Sequence, residues 1–242
     1  MESVRAWAGE NGFGYRFIDD RLFEYAPPWY REKAAHNVLL VTDLARLQAA
    51  RELLQTFHRT IWMDADLLVF DPRRASFELA DGYAFCREVW AWRNADGSPM
   101  MLTGRVNNSV SVFDRGNPVL DFLIHAARAL VRNSAGRPHP AAFCAELLTG
   151  LNERMGLPLL RHFGTLSPVV MSSLAQGDEN YLRAYMAQVG EPLVAANLCG
   201  SFRDTANHGM TLEEGVYDRV VSLLLETRGA ALNRFLPAVA AA

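Results

Sequence analysis

The chain contains few cysteines, and no two of them lie at a short spacing. Cys86, Cys144 and Cys199 are far apart among 242 residues, and their number is odd. This pattern excludes a disulfide framework and a Cys-x-x-Cys metal site. Because proteins without disulfides suit a reducing compartment, the sequence predicts a cytoplasmic location.

The sequence also has neither a large net charge nor a long apolar run. The formal net charge is −3, with no block of basic residues, whereas duplex binding needs clustered Lys and Arg. No run approaches the roughly 20 apolar residues of a membrane helix, and the first residues do not have the features of a signal peptide. The sequence therefore predicts no nucleic-acid partner and no transmembrane segment.

The apolar content, by contrast, is high. Hydrophobic residues make up 50% of the chain, which is enough for a sizeable core. The length suits one α/β domain or a domain with a modest appendage, and there is no internal repeat or low-complexity linker. We expect residues 1–242 to form a single domain, with a C-terminal helix at about 211–228 packed on it.

Two carboxylates interrupt the most apolar part of the chain. The strand-like run Thr60–Met63 leads into Asp64 and Asp66, and a second apolar run, Leu67–Phe70, follows. Asp is a poor strand former, so the strand is expected to end there, at the edge where open α/β sheets bind ligands. Adjacent carboxylates repel unless a cation lies between them, and Mg²⁺ prefers carboxylates with phosphate oxygens. The other interpretation is a solvated turn in which one Asp caps backbone amides.

Local patterns predict further elements. An amphipathic helix over Val41–Leu54 has Thr42 or Asp43 as its N-cap. The polar segment Glu88–Met100 is predicted to be a loop, in which Trp90 and Trp92 either wall a pocket or pack against it. Other predicted helices are Ser3–Asn11, the helix opened by Asn117-Pro118, Asp178–Val189 and Thr211–Glu226, the last with a Thr211-x-x-Glu214 capping box. Predicted strands are Tyr15–Ile18, Gly82–Cys86, Val106–Phe113 and Val194–Cys199.

The order of these motifs resembles that of GT-A-fold glycosyltransferases, the nucleotide-diphospho-sugar transferases of the family 32 and family 8 type. Three segments carry the resemblance: Thr42–Arg46, which matches a Ser/Thr-Asp-x-x-Arg helix, Trp62–Asp66 with the Asp-x-Asp motif, and Val106–Ser109 with its Asn pair before a Pro-started helix. Each motif is weak alone, and their order and spacing carry the weight. The resemblance implies a GT-A-like, mixed and mainly parallel sheet flanked by helices.

The resemblance also implies an activity, which is transfer of a sugar from a nucleotide-diphosphate donor, with a UDP-sugar favoured, to an unknown acceptor. The product would keep the donor's anomeric configuration, and no protein nucleophile is implied. Mn²⁺ or Mg²⁺ on the diphosphate would offset charge on the leaving nucleotide. The implied metal ligands are Asp64, Asp66 and, near the C-terminus, Asn197 or His208. The implied nucleotide-sugar contacts are Asp43, Arg46, Asp64, Ala65 and Asp66, and the residues implied on the sugar or acceptor side are Asn107 and Asn108.

Three further expectations follow. The family's first strand would precede Ser3 and is missing here, and the sheet edge that this leaves open favours a homodimer. A non-catalytic GT-A-like domain that binds a nucleotide or a partner is the alternative function, and a phosphotransferase or phosphohydrolase is the third. Asp66→Ala is expected to leave the fold intact, because an edge carboxylate contributes little to packing.

Overall fold

Helices and strands alternate along the chain in the computed structural model, which describes residues 1–139, 142–203 and 212–238. The helices are α1 (Glu2–Glu10), α2 (Pro28–Lys33), α3 (Val38–Leu53), α4 (Pro118–Asn133), α5 (Thr149–Met155), α6 (Pro168–Gln176), α7 (Glu179–Val189), α8 (Glu214–Thr227) and α9 (Ala230–Asn233). The strands are β1 (Arg59–Met63), β2 (Leu67–Val69), β3 (Tyr83–Arg93), β4 (Pro99–Asp114), β5 (Leu159–Leu160), β6 (Phe163–Thr165) and β7 (Ala195–Asn197). Shorter segments are the 3₁₀ turns Asp20–Tyr25 and Gly200–Phe202 and the π-helical Ala142–Leu148. The predicted α/β class is confirmed.

The strands form two mixed sheets. The larger has the order β1-β4-β3-β5, with β4 antiparallel to both β1 and β3 and with β3 parallel to β5. The smaller has the order β2-β7-β6, with β2 antiparallel and β6 parallel to β7. The predicted, mainly parallel sheet is not found in the described ranges. The longest pair is a hairpin, and a short turn can join strands only in antiparallel order.

The hairpin of β3 and β4 replaces the loop predicted over Glu88–Met100, and that prediction was wrong. β3 continues to Arg93, and β4 begins at Pro99. The alternation of buried Val89 and Ala91 with half-buried Trp90 and Trp92 is the period of a strand. The turn is confined to Asn94–Ser98, where Gly97 has a φ of 82° that favours glycine.

Two other local predictions differ from the structure. Residues Tyr15–Ile18 form no strand; Tyr15 and Ile18 instead pack their side chains against two separate core clusters. The N-cap of α3 is Asn37, whose side chain accepts a hydrogen bond from the Leu39 N–H at 2.8 Å. Asp43 therefore lies inside α3 and is available for a tertiary contact.

The core surrounds the junction between the two sheets. One buried cluster lies between α3, α4 and the larger sheet, and a second packs α1 against strands of both sheets. A third joins β7 to α6, α7 and α8, and α8 buries Val220 and Leu224 in it. The Thr211 position of the predicted capping box lies outside the described residues. Across the described ranges, every helix is too short or too polar to cross a bilayer.

Candidate metal and nucleotide site

Asp64 and Asp66 lie in the turn that leaves the larger sheet and enters the smaller one. β1 ends one residue before Asp64, as the sequence predicted, and the Asp64 N–H donates to the Ser109 carbonyl of β4 at 2.8 Å. The Leu67 N–H then donates to the Asp64 carbonyl at 3.0 Å and closes the turn. Ala65 is exposed at its tip. Both carboxylates are thereby held at the C-terminal end of β1.

The Asp64 carboxylate is held through one of its oxygens. Oδ1 accepts hydrogen bonds from Arg46 Nη1 at 3.0 Å and from Trp62 Nε1 at 2.6 Å. Oδ2 has no hydrogen-bond partner among the described residues, and the side chain is 26% exposed. Burial raises the pKa of Asp64 above its ordinary value, and the Arg46 guanidinium opposes that rise. The carboxylate is thus oriented with one oxygen left for a ligand.

A buried network from α3 and β4 supports Asp64. Asn108 Nδ2 donates to Asp43 Oδ1 at 2.8 Å, and Arg46 Nη1 donates to the Asn108 carbonyl at 2.9 Å. Arg46 Nη2 lies 3.7 Å from Asp43 Oδ1, which places the guanidinium between two carboxylates. Asp43 and Arg46 are only 4% and 6% exposed. Burial raises the pKa of Asp43 to about 6, against the lowering effects of Arg46 and Asn108.

The two predicted motifs therefore meet in space. The Asp43–Arg46 helix, the Asp-x-Asp turn and Asn108 form one connected set of contacts, as their predicted common site requires. Asp43 acts on Asp64 through Arg46, because it lies behind the guanidinium and is enclosed by protein. Direct contacts of Asp43 and Arg46 with a nucleotide remain a prediction.

Asp66 is held from the smaller sheet. Its Oδ1 accepts from Asn197 Nδ2 at 2.7 Å, and its Oδ2 accepts from the Gly200 N–H at 2.8 Å. Its carbonyl accepts from the Leu198 N–H at 3.0 Å. Asn197 Oδ1 in turn accepts from the Cys199 N–H at 2.8 Å, and Cys199 adopts a left-handed φ of 51°. A Cβ on Gly200 would lie 3.2 Å from the Asp66 Cβ, so a larger residue there would displace the carboxylate.

Asn107, the first member of the Asn pair, holds a different carboxylate. Its Nδ2 donates to Glu88 Oε2 at 2.8 Å, and its Oδ1 accepts from the Ser109 N–H at 2.7 Å. Glu88 Oε1 accepts from Arg105 Nε at 2.7 Å, and Glu88 is only 8% exposed. Adjacent asparagines thus hold carboxylates from two other elements, Asp43 in α3 and Glu88 in β3.

An irregularity in β4 makes this arrangement possible. Phe85 of β3 pairs with Ser111, but the next residue of β3, Cys86, pairs with Asn107. The three residues Asn108–Val110 are therefore unpaired on the β3 side. Bulges of this kind bend a strand and re-aim its side chains, and they are frequent beside active sites. Here the bulge brings the asparagine pair to the end of β1.

Sequence reasoning missed three residues of the site. Trp62 carried a usable signal, because a spacing of two in a strand puts it on the same face as Asp64. Glu88 carried a weaker signal, as one of two adjacent charges, with Arg87, inside a largely apolar run. Gly200 carried none, because its contribution is a backbone N–H. Of the two further metal ligands predicted, Asn197 contacts Asp66, and His208 lies outside the described residues.

The donor set fits a small divalent cation. Carboxylate oxygens are what Mg²⁺ and Mn²⁺ prefer, Asp64 Oδ2 has no partner within the described ranges, and each Asp66 oxygen retains a second lone pair. No group of three or more His, Cys, Asp and Glu side chains able to hold a metal occurs among the residues that the structure describes. A metal here would complete its shell with water and substrate phosphate, as Mg²⁺ commonly does.

Comparison with known proteins adds no family assignment. No protein-family model matches the chain, and no curated protein matches it significantly.

Proposed function

We propose that this protein is a metal-dependent glycosyltransferase with a GT-A-like fold, moving a sugar from a nucleoside-diphosphate donor to an acceptor. The observation that carries the proposal is the convergence of three distant segments on one turn. Arg46 of α3, the Asp64–Asp66 turn after β1 and the Asn108–Ser109 segment of β4 are linked by direct hydrogen bonds. An isolated capping aspartate would not need this supporting network.

The proposed roles follow from which atoms of the two aspartates already accept hydrogen bonds from the protein. Asp64 Oδ2 and the outer lone pairs of Asp66 would hold Mn²⁺ or Mg²⁺, which when bound offsets charge on the leaving diphosphate. Arg46 and Trp62 fix the orientation of Asp64, and Asn197 with the Gly200 N–H fixes that of Asp66. In this arrangement Asn197 serves the metal site by orienting Asp66, since its amide oxygen already accepts from the Cys199 N–H.

A second candidate function is a non-catalytic domain of the same fold that binds a nucleotide or a partner. It is favoured by one observation, which is that both aspartates find protein partners without a cation. Asp64 has Arg46, and Asp66 has Asn197 and the Gly200 N–H. A site whose carboxylates are already hydrogen-bonded by protein groups can keep its shape without turnover.

The deciding experiment is a thermal-shift titration with UDP and GDP, each with and without Mn²⁺. A ligand that binds only the native state raises the melting temperature by mass action. We expect a Mn²⁺-dependent rise with one of the nucleotides, UDP being favoured, and its loss in Asp66→Ala. The matched control is Asp121→Ala, which removes an exposed carboxylate on α4 that is 73% accessible and distant in sequence from the site.

Turnover separates the candidate functions. Release of UDP from a UDP-sugar, dependent on Mn²⁺ and on Asp66, would establish the transferase. Nucleotide binding without release would favour the non-catalytic domain, and cleavage of a generic phosphatase substrate would favour a phosphohydrolase. No thermal shift with either nucleotide would contradict the proposed donor site.

A further inference from the structure

A strip of aromatic rings begins beside the Asp66 turn. We define the aromatic strip as Trp90, Trp92 and Phe202. The rings of Trp90 and Trp92 have centroids 5.7 Å apart, and those of Trp90 and Phe202 are 5.9 Å apart. Phe202 ends the 3₁₀ turn whose first residue, Gly200, donates its N–H to Asp66. The strip therefore starts next to the candidate metal site and runs out along β3.

The strip is continued across the hairpin by exposed apolar side chains. Leu102 pairs with Trp90 and Met100 pairs with Trp92, so all four lie on one face of the sheet. Leu102 is 37% exposed and Met100 is 41% exposed. The neighbouring positions Val89 and Ala91 point to the opposite face and are buried. This face is accordingly an apolar surface beside the candidate metal site.

Packing alone does not account for the tryptophan at position 90. Its Nε1 is buried and has no hydrogen-bond partner among the described residues. An unsatisfied buried donor costs about 1–3 kcal/mol, and a phenylalanine or leucine would fill a core position without that cost. Trp90 packs against the core cluster of α6, α7 and α8, and its half-buried ring also leaves part of its surface open to a ligand.

Polar groups lie at the inner end of the strip, where the pairing of β3 with β4 shifts its register between Glu88 and Trp90. Glu88 precedes Trp90 by two residues on β3, and its carboxylate is paired with Arg105 and Asn107. A surface that combines broad aromatic rings with carboxylate, amide and guanidinium groups suits one chemical class of ligand. Sugar rings stack their C–H faces on indoles while their hydroxyls exchange hydrogen bonds with such polar groups.

We propose that the aromatic strip is the acceptor subsite and that the acceptor is a carbohydrate chain. This inference rests on the proposed glycosyl transfer. A saccharide lying on Trp92 and Trp90 would direct its end towards Phe202 and the Asp66 turn, where the donor is bound. A lipid surface would not match the polar Glu88–Arg105–Asn107 group, which lies at the inner end of the strip.

The test is direct binding of saccharides without nucleotide or metal. Chito-, malto- and cello-tetraose are titrated into the full-length protein by isothermal titration calorimetry and by saturation-transfer NMR. We expect at least one to bind the native protein and Trp92→Ala to weaken that binding at least tenfold. The matched control is Trp29→Ala, a half-buried tryptophan of α2 that stacks with Arg132 at 4.9 Å and is outside the strip; it is expected to bind normally.

A second variant distinguishes loss of saccharide binding from loss of the fold. Trp92→Leu keeps an apolar side chain against the hairpin but removes the ring, so it is expected to remain folded and to lose binding to the same extent as Trp92→Ala. Absence of binding to all three saccharides, or equal binding by the native protein and Trp92→Leu, would overturn the proposal.

The nucleotide experiment on the same variant separates this inference from the proposed function. Trp92→Leu is expected to retain the Mn²⁺-dependent thermal shift with nucleotide. If the native protein binds a saccharide but shows no thermal shift with nucleotide, the proposed transferase function is rejected. The aromatic strip would then be a carbohydrate-binding surface only. A nucleotide shift in a protein whose saccharide binding ignores Trp92 would retain the donor site and reject the strip as its acceptor subsite.

Discussion

Asp43 is a carboxylate enclosed by protein, and its environment gives it a pH-dependent effect on stability. Its pKa is raised from 3.8 to about 6, with burial as the largest cause. The folded state therefore holds this proton more tightly than the unfolded state. The resulting stabilisation is present below about pH 4 and is lost as the pH rises through about 6.

Asp43→Asn should remove this titration while keeping a side chain of the same shape. The free energy of unfolding of the native protein, relative to that of the variant, is expected to fall by about 2 kcal/mol between pH 4 and pH 7. Urea denaturation of both proteins across this pH range measures the difference. A difference that does not change with pH would show that Asp43 titrates normally.

Asp66 makes structural contacts of the kind that the alternative interpretation of this turn predicted, in which one Asp caps backbone amides. Sequence reasoning expects Asp66→Ala to leave the fold intact, but the carboxylate accepts from both Asn197 and the Gly200 N–H. Hydrogen bonds to charged groups contribute about 1.5–3 kcal/mol when buried, and water replaces part of that at this half-buried site.

We therefore expect Asp66→Ala to lose about 1–3 kcal/mol of unfolding free energy in the absence of metal. Asp121→Ala, which removes an exposed carboxylate, should lose less than about 0.5 kcal/mol. Chemical denaturation of the three proteins gives both values. A loss in Asp66→Ala as small as that in Asp121→Ala would mean that the two hydrogen bonds are not needed for the fold.

At the scale of elements, the turn between α8 and α9 shows how closely the C-terminal helices fit the smaller sheet. Gly229 has a φ of 79°, and a Cβ there would lie 2.5 Å from Cε2 of Phe70. Gly177, which caps α6, has a similar φ of 77°, but a Cβ on it would have no heavy atom within 4 Å. Comparing alanine substitutions at the two glycines therefore distinguishes the cost of the left-handed backbone from the cost of overlap with Phe70.

Gly177→Ala is expected to cost about 1 kcal/mol, from the left-handed conformation alone. Gly229→Ala should cost about 2–5 kcal/mol, because the overlap with Phe70 adds to the same strain. Thermal or chemical denaturation compares them. Equal losses would mean that the Phe70 ring moves aside without cost.

Elements whose signals are local could be predicted from the sequence. The start of α4 depends on Asn117, whose side chain accepts from the Val119 N–H, and on Pro118 at the first helical position. The cap of α3 was predicted wrongly, because Asn37, Thr42 and Asp43 are all residue types that cap helices. Asn37 caps the helix through the Leu39 N–H, whereas Asp43 lies inside it and contacts Asn108. The start of α4 could therefore be predicted from residues next to it in the sequence, whereas the start of α3 could not.

The site was predictable to the extent that it is contiguous in the chain. Asp64 and Asp66 could be found because their own strand identifies them. The contact of Asn107 with Glu88 depends on the register of two strands and on a bulge in one of them. Register is set by the buried face of the whole sheet, so a single sequence carries no direct signal for it.

At the scale of the whole molecule, the larger sheet has an open edge. Within the described ranges β1 pairs with β4 and with no other strand. Unpaired edges are templates for pairing with another chain, so the predicted homodimer has a candidate surface.

The direction of the strands could not be predicted, because it follows from the short β3–β4 turn that sequence reasoning had assigned to a longer loop.

We expect the protein to dimerise reversibly through the β1 edge. Sedimentation velocity over a wide concentration range should show a monomer–dimer equilibrium, and hydrogen exchange of the β1 amides should slow as the concentration rises. A monomer at all concentrations would reject the dimer. Dimerisation without added protection of β1 would assign the interface to another surface.

The bulge in β4 has a consequence for how the gene can change. Asn107 and Asn108 contact carboxylates on opposite faces of one strand, Glu88 on one side and Asp43 on the other. Removing a single codon between them and the hairpin would exchange the two faces and break both contacts at once. Codon loss in the Asn94–Ser98 turn should be far better tolerated. Evolution of this site is therefore expected to proceed by substitution in β4, with changes of length confined to the turn.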